Sequence, residues 1–319
     1  MEVIKILKRH EIDDELWDDC VANSAYPLAY ALTWYLDIVC EKWEGIVSIQ
    51  NSTYVIVLPV PTQKKWGREF VRMPLFCHRL GAFHSNDVTV PDSFYEIMLS
   101  NWKYINPYSF HSNNELEIEN NAVEFRNRSH LEIDLSEDYE QLSNRFKKDK
   151  KKNLNKAFKK RLSITKSHDF SHFMAMFKEA IAVEGGIASN SYQILTKIIE
   201  KSCSLGIGEI YYSKYPDGKF GAAQFVIRFQ NRVMLHSCAT YLDCKKDYGA
   251  VLILDELMRE NASKKLYLDF ECGTAPESIR YFNKGFGAKE IPYQEMKYEN
   301  LAKLTSLLRK VRYGLLNKG

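Results

Sequence analysis

No run of apolar residues approaches the roughly 18–20 that a membrane-spanning helix needs. The longest, around 55–60 and 250–254, are the size of a core strand or a piece of a core helix. Nor does the opening Met1-Glu2-Val3-Ile4-Lys5 follow the basic-then-apolar plan of a secretory leader. The expected location is therefore the cytoplasm. No C-x-x-C pair occurs, and the seven cysteines (20, 40, 77, 203, 238, 244 and 272) are odd in number and scattered. That argues against a disulfide framework and a zinc ribbon, and predicts reduced, mostly buried thiols. Also missing are G-x-S-x-G, a Walker motif and G-x-G-x-x-G, so hydrolase, nucleotide-triphosphatase and dinucleotide-binding readings lose their support. His168 and His172 have the i, i+4 spacing of two metal ligands, but no third ligand is indicated. Asp169 or Ser171 reads as a helix cap, and no metal is expected.

What is present suffices for two domains: 319 residues, 37.2 kDa, 45% hydrophobic and 13% aromatic. The net charge of +3 is unevenly spread. Residues 145–166 hold eleven basic side chains and one acid, Asp149, a local charge of +10, so the remainder carries −7. A basic element on an otherwise acidic protein predicts a polyanionic partner: a nucleotide pyrophosphate, coenzyme A, tRNA or an anionic membrane, with DNA not expected. The element reads as one helix capped by Ser136, with Leu142, Phe146, Leu154, Ala157 and Phe158 on one face. Lys147, Lys148, Lys151 and Lys152 are its candidate anion-binding residues, with Arg280 from further along the chain.

The first half reads as mixed α/β. Helices are expected over 17–24, 29–42 and 93–102. A hairpin of 46–50 and 53–59 turns at Asn51-Ser52, the residues from Lys64 to Gly67 make a turn, and short strands follow at 115–119, 122–126 and 131–135. The second half is clearer. Helices 170–184 (stopped by Gly185-Gly186) and 192–205 precede a three-strand meander at 209–215, 220–229 and 233–241. A helix at 248–262, a strand at 265–272, a short helix from Pro276 to Lys284 and a last strand at 291–298 complete it. The expected division is 1–135, 136–300 and an amphipathic tail, 301–319.

That β-β-β-α-β-α-β order resembles the GNAT (general control non-repressible N-acetyltransferase) fold. The stretches RFKKDKKKNLNKAFKK (145–160), LDFECG (268–273) and RYFNKGFGAKE (280–290) resemble its FemAB-like branch, whose members join two GNAT-like domains through a basic helix. Over the first half only length, general pattern and MPLFCHRLGAF (73–83) agree. The resemblance implies an α/β protein of two tandem GNAT-like domains with mixed sheets, the second better defined. It implies acyl transfer to an amine, with a coenzyme A thioester as co-substrate and no tightly bound cofactor. Transfer of an amino acid from aminoacyl-tRNA to a peptidoglycan precursor is the alternative. A non-catalytic polyanion-binding protein on the same scaffold is the alternative of another class.

Transfer to an amine needs a held donor, a deprotonated acceptor and a stabilised oxyanion. For the donor, Tyr248, Gly249 and Ala250 open a helix whose free N–H groups suit phosphate oxygens, with Lys245 and Lys246 just before it. Gly249 is expected to let a phosphate approach closely. For the base, Asp269 and Glu271 sit two apart in an expected strand and so share a face. Their mutual repulsion would favour one protonated form, unless a salt bridge to Arg228 or Arg280 pairs them. His236 lies mid-strand, beside the acyl group if the resemblance holds, as base or oxyanion donor. Lys284, near the reacting centre in the family, is a candidate for stabilising negative charge.

Overall fold

The computed structural model describes residues 3–65, 67–183 and 188–300. Trp66 of the expected Lys64–Gly67 turn, the Gly185-Gly186 stop and the tail 301–319 lie outside the described residues. Among the described residues no helix is long and apolar enough to cross a membrane.

The chain condenses into two compact units. Of the described residues, the first takes those up to Tyr26, Cys40–Asn127 and those from Tyr293; the second takes those of Pro27–Val39 and Arg128–Pro292. This differs from a single cut at 135/136. The segment Pro27–Val39 joins the second unit because Leu28, Tyr30, Leu32, Tyr35 and Leu36 are buried there. A helix expected over 29–42 is a 3-10 turn at Ala29–Ala31 followed by a separate helix.

The elements run β1 (Val3–Lys8), α1 (Asp14–Ala22), α2 (Thr33–Val39), β2 (Lys42–Gln50), β3 (Thr53–Lys65), β4 (Arg68–Val71), β5 (Phe83–His84), α3 (Asp92–Asn101), β6 (Tyr104–Ser109) and β7 (Val123–Asp134). Then come α4 (Tyr139–Asn144), α5 (Lys148–Lys159), β8 (Ser163–Ser167), α6 (Ser171–Val183), α7 (Ser189–Ser204), β9 (Gly208–Lys214), β10 (Phe220–Phe229), β11 (Arg232–Thr240), α8 (Gly249–Asn261), β12 (Tyr267–Asp269), α9 (Glu277–Lys284) and β13 (Lys289–Glu299). No strand forms at 115–119, and the two strands expected at 122–126 and 131–135 are the single β7.

In the first unit the strands order β1-β2-β3-β4-β6-β13, with β5 against β3. The β2–β3 hairpin turns where expected: Asn51 and Ser52 both take positive φ, 49° and 63°, the handedness a two-residue turn needs. Trp17 of α1 fills the space over Gly45, whose missing Cβ would stand 2.4 Å from Trp17 Cζ3.

In the second unit the order is β7-β12-β11-β10-β9-β8. All neighbours are antiparallel except β11 and β12, which α8 joins. Alternation sorts the side chains onto two faces. Val226, Val233, Leu235 and Leu268 share one core with Val251, Leu254 and Met258 of α8 and with Leu142 and Leu154 of α4 and α5. Phe225 points the other way, toward Phe173 of α6.

Candidate active site

Strands β11 and β12 run together for only three pairs: Arg232↔Tyr267, Val233↔Leu268 and Met234↔Asp269. Beyond them β11 continues to Thr240 while β12 stops. A gap therefore opens at the carboxyl ends of two parallel strands, the place where such sheets hold ligands. At the mouth of the gap β11 is bulged. Phe225 of β10 faces Ser237 and Val226 faces Leu235, which leaves His236 as the extra residue. Paired residues share a face, so Ser237 stands with Phe225 on the α6 side, and the His236 ring lies 5.1 Å from that of Phe225. In a regular strand His236 and Ser237 would point to opposite faces; the bulge turns both to the same one.

His236 is 7% exposed and held at both nitrogens. Its Nε2 lies 2.8 Å from the hydroxyl of the fully buried Tyr35. Its Nδ1 lies 2.8 Å from the hydroxyl of the half-buried Ser237. Tyr35 belongs to α2, in the segment that the early chain lends to this unit. Sequence reasoning named His236 and missed both partners. Ser237 was within reach as its neighbour; nothing local marks Tyr35.

Asp269 and Glu271 are placed differently from expectation. β12 ends at Asp269, and Glu271 has φ 49°, so the two do not alternate along one strand. Asp269 is wholly buried. It accepts from Arg232 Nη1 at 3.1 Å and lies 3.2 Å from His130 Nδ1. The same Nη1 donates to Glu132 at 3.0 Å. His130, Glu132 and Asp269 put ligand-type atoms within 4.8 Å of one another, but a guanidinium already supplies the positive charge among them. The partner of Asp269 is thus Arg232 on the adjoining strand, not Arg228 or Arg280. Glu271, also buried, gives its own N–H to Asp269.

The connection from β11 to α8 is a 3-10 turn, Leu242–Asp247, followed by Tyr248 in the left-handed region at φ 63°. Lys245 and Lys246 are exposed here. Gly249 has a packing role that the sequence did not announce. It is buried, and a Cβ on it would meet Ser213 Oγ at 2.2 Å and Ser213 Cβ at 2.8 Å. The missing side chain lets α8 approach β9. Asp247 accepts from Tyr215 and pairs with Lys160 at 3.2 Å; with the tyrosine hydrogen bond first and the lysine after it, its carboxyl stays below its usual range.

The basic segment is two helices, not one. Asp138, not Ser136, caps α4 by accepting from Gln141 N, and the chain breaks before α5 where Lys147 N donates to Gly285 O. Leu154 and Ala157 face the core as expected, whereas Phe158 is 49% exposed. Lys150 is buried against the ring of Phe282, 4.4 Å from its centroid. Lys147, Lys148, Lys151 and Lys152 are exposed, with no carboxylate partner among the described residues. At the far end of α5 Lys156 reaches the hydroxyl of Tyr248 at 3.3 Å. The cationic row therefore ends beside the entry to α8.

Arg280 and Lys284 are engaged within α9's surroundings. Arg280 donates to Ser129 O, Ser129 Oγ and Glu290, and Lys284 pairs with Glu290 at 2.7 Å. Those bonds, Lys284's first, hold the Glu290 carboxyl below its usual value. Asp169 caps α6 by accepting from Ser171 N, and His172 packs on Phe220 at 4.7 Å.

No protein-family model matches the sequence, and no curated protein matches it. Solved structures do. A structure of FemX superposes with a TM-score of 0.61 at 10% identity, covering 91% of this chain and 96% of that one. The C-terminal domain of a putative lysylphosphatidylglycerol synthetase from Agrobacterium fabrum gives 0.55 at 10%, covering 93% and 95%. A tandem GNAT protein from the clavulanic acid biosynthesis pathway gives 0.52 at 9%, covering 94% and 100%. The fold is of the tandem GNAT and Fem type. At such identities the likeness is one of fold. Within the tandem GNAT fold of this chain, β9-β10-β11-α8-β12-α9-β13 follows the order that the sequence pattern indicated.

Proposed function

We propose that the second unit is an acyltransferase that moves an acyl group from an anionic carrier to an amine, with His236 as general base. The observation that carries this is the bulge that sets His236 at the mouth of the β11/β12 gap, bonded through both nitrogens. An alkylammonium must lose a proton before it can attack a carbonyl, and a positioned imidazole takes one near neutral pH. The donor is read as an acyl-CoA-like thioester, its phosphates met by the N-terminus of α8 with Lys245 and Lys246. The exposed lysines of α5 favour a second donor, aminoacyl-tRNA: twelve helical residues extend about 18 Å, longer than one pyrophosphate requires.

The test uses purified protein, a panel of amines, and acetyl-CoA or mixed aminoacyl-tRNA as donor. Transfer that His236→Gln abolishes supports the reading. Polyanion binding without transfer by any donor supports the non-catalytic alternative instead.

A further inference from the structure

The bulge places a nucleophile, a base and a third group in series. Ser237 Oγ, His236 Nδ1, His236 Nε2 and the Tyr35 hydroxyl form one chain, with 2.8 Å at each hydrogen bond. This is the geometry that activates a serine: the hydroxyl within reach of a base, and the base oriented by a further hydrogen bond. Gln224 fixes the serine's backbone, its Nε2 donating to Ser237 O at 3.1 Å and to Phe225 O at 3.0 Å. The order of burial also fits. Tyr35 is fully buried, His236 nearly so, and Ser237 is the member that solvent reaches.

We infer that acyl transfer passes through an ester on Ser237, rather than going directly from donor to amine. The inference rests on the acyl-transfer reading of this site and deepens it. Ser237 Oγ attacks the acyl carbonyl carbon and its proton passes to His236 Nδ1. The bond from carbonyl carbon to carrier breaks, and the carrier leaves with that proton. The acceptor amine then attacks the ester, His236 takes the amine's proton, and the serine hydroxyl is restored as the amide forms. Through both steps Nε2–H donates to the Tyr35 oxygen, so the lone pair of neutral His236 sits on Nδ1, facing the serine. Ser237 and His236 are catalytic residues in this scheme, and Tyr35 is a positioning residue.

The probe is p-nitrophenyl acetate, which needs no knowledge of the natural carrier. Full-length protein treated with it is expected to gain one hydroxylamine-labile acetyl group, mapped by peptide mass to Ser237. Ser237→Ala removes the label, and His236→Gln slows its formation by at least about 100-fold. Cys238→Ser keeps it, which separates an oxygen ester from a thioester on the exposed neighbour. Nitrogen NMR of the His236 ring shows the Nε2–H form in the wild type and loses that single form in Tyr35→Phe, a change that mere packing by Tyr35 does not produce. A label that is absent from Ser237, or unaffected by His236→Gln, overturns the inference. Amine transfer retained by Ser237→Ala overturns it while leaving the acyltransferase reading intact. An ester on Ser237 that no amine discharges supports the nucleophile and counts against that reading.

Discussion

The Nε2 of His236 meets the hydroxyl of Tyr35 at 2.8 Å although 201 positions separate them in the chain. That bond ties α2 to the bulge of β11. It gives the segment Pro27–Val39 a role that its place in the sequence does not announce: it supplies the buried end of the site's hydrogen-bond chain.

Gly249→Ala should destabilise the second unit by about 1–3 kcal/mol, the usual effect of forcing an extra methyl into a packed contact. Its Cβ would stand 2.2 Å from Ser213 Oγ and 2.8 Å from Ser213 Cβ. Urea unfolding of Gly249→Ala and of Gly249→Ala/Ser213→Gly is the check. The double variant recovers part of the loss if the contact is what matters. Equal stability of Gly249→Ala and wild type would contradict the packing role.

Arg232→Met should cost about 3–5 kcal/mol, because it removes the guanidinium that pairs with both the buried Asp269 and Glu132. Asp269 is wholly buried and Arg232 is 4% exposed, so water cannot replace the lost partner. Removal of the exposed Arg126, paired with Glu124, should leave the denaturation midpoint unchanged.

Glu260 accepts from Tyr211 at 2.7 Å and pairs with Lys166 at 2.8 Å. Burial alone would raise its pKa, but the bonds from Lys166 and Tyr211 outweigh burial and lower it from 4.5. A carboxylate lowered in the folded state contributes stability above its unfolded value and loses it as pH falls through its folded one. Wild type should therefore lose thermal stability as pH drops below about 4.5 more steeply than Glu260→Gln. Parallel pH profiles for the two would refute this.

The exposed lysines of α5 should bind polyanions by charge alone. Lys148→Glu/Lys152→Glu should weaken binding of single-stranded RNA oligomers, and the slope of log affinity against log salt should shrink by roughly 0.7 per lost contact. Circular dichroism and the melting midpoint should not move, since both side chains lie in solvent. An unchanged slope would remove α5 from the binding surface.

How much of this was legible in the sequence follows from what is local. The meander of β9, β10 and β11 was readable because its strands are runs rich in apolar and aromatic residues, cut by turn residues around Gly218 and Gln230, both of which take positive φ. The hairpin at Asn51-Ser52 was readable for the same reason. The break between α4 and α5 was not: it is set by Lys147 N finding Gly285 O, a contact far along the chain. Asp269 and Glu271 read as an active pair because their spacing is local, while the Arg232 that neutralises Asp269 comes from another strand. The bulge at His236 carries no glycine or proline to betray it, so the histidine was visible and its geometry was not.

The most direct test of the account is the rate of acyl transfer to an amine by wild type and by His236→Gln, with acetyl-CoA and with aminoacyl-tRNA as donors. The account predicts transfer from at least one donor in the wild type and a loss of about 10²–10⁴-fold in the variant at unchanged melting midpoint. Equal rates in the two proteins, or no transfer by wild type from either donor, would contradict it.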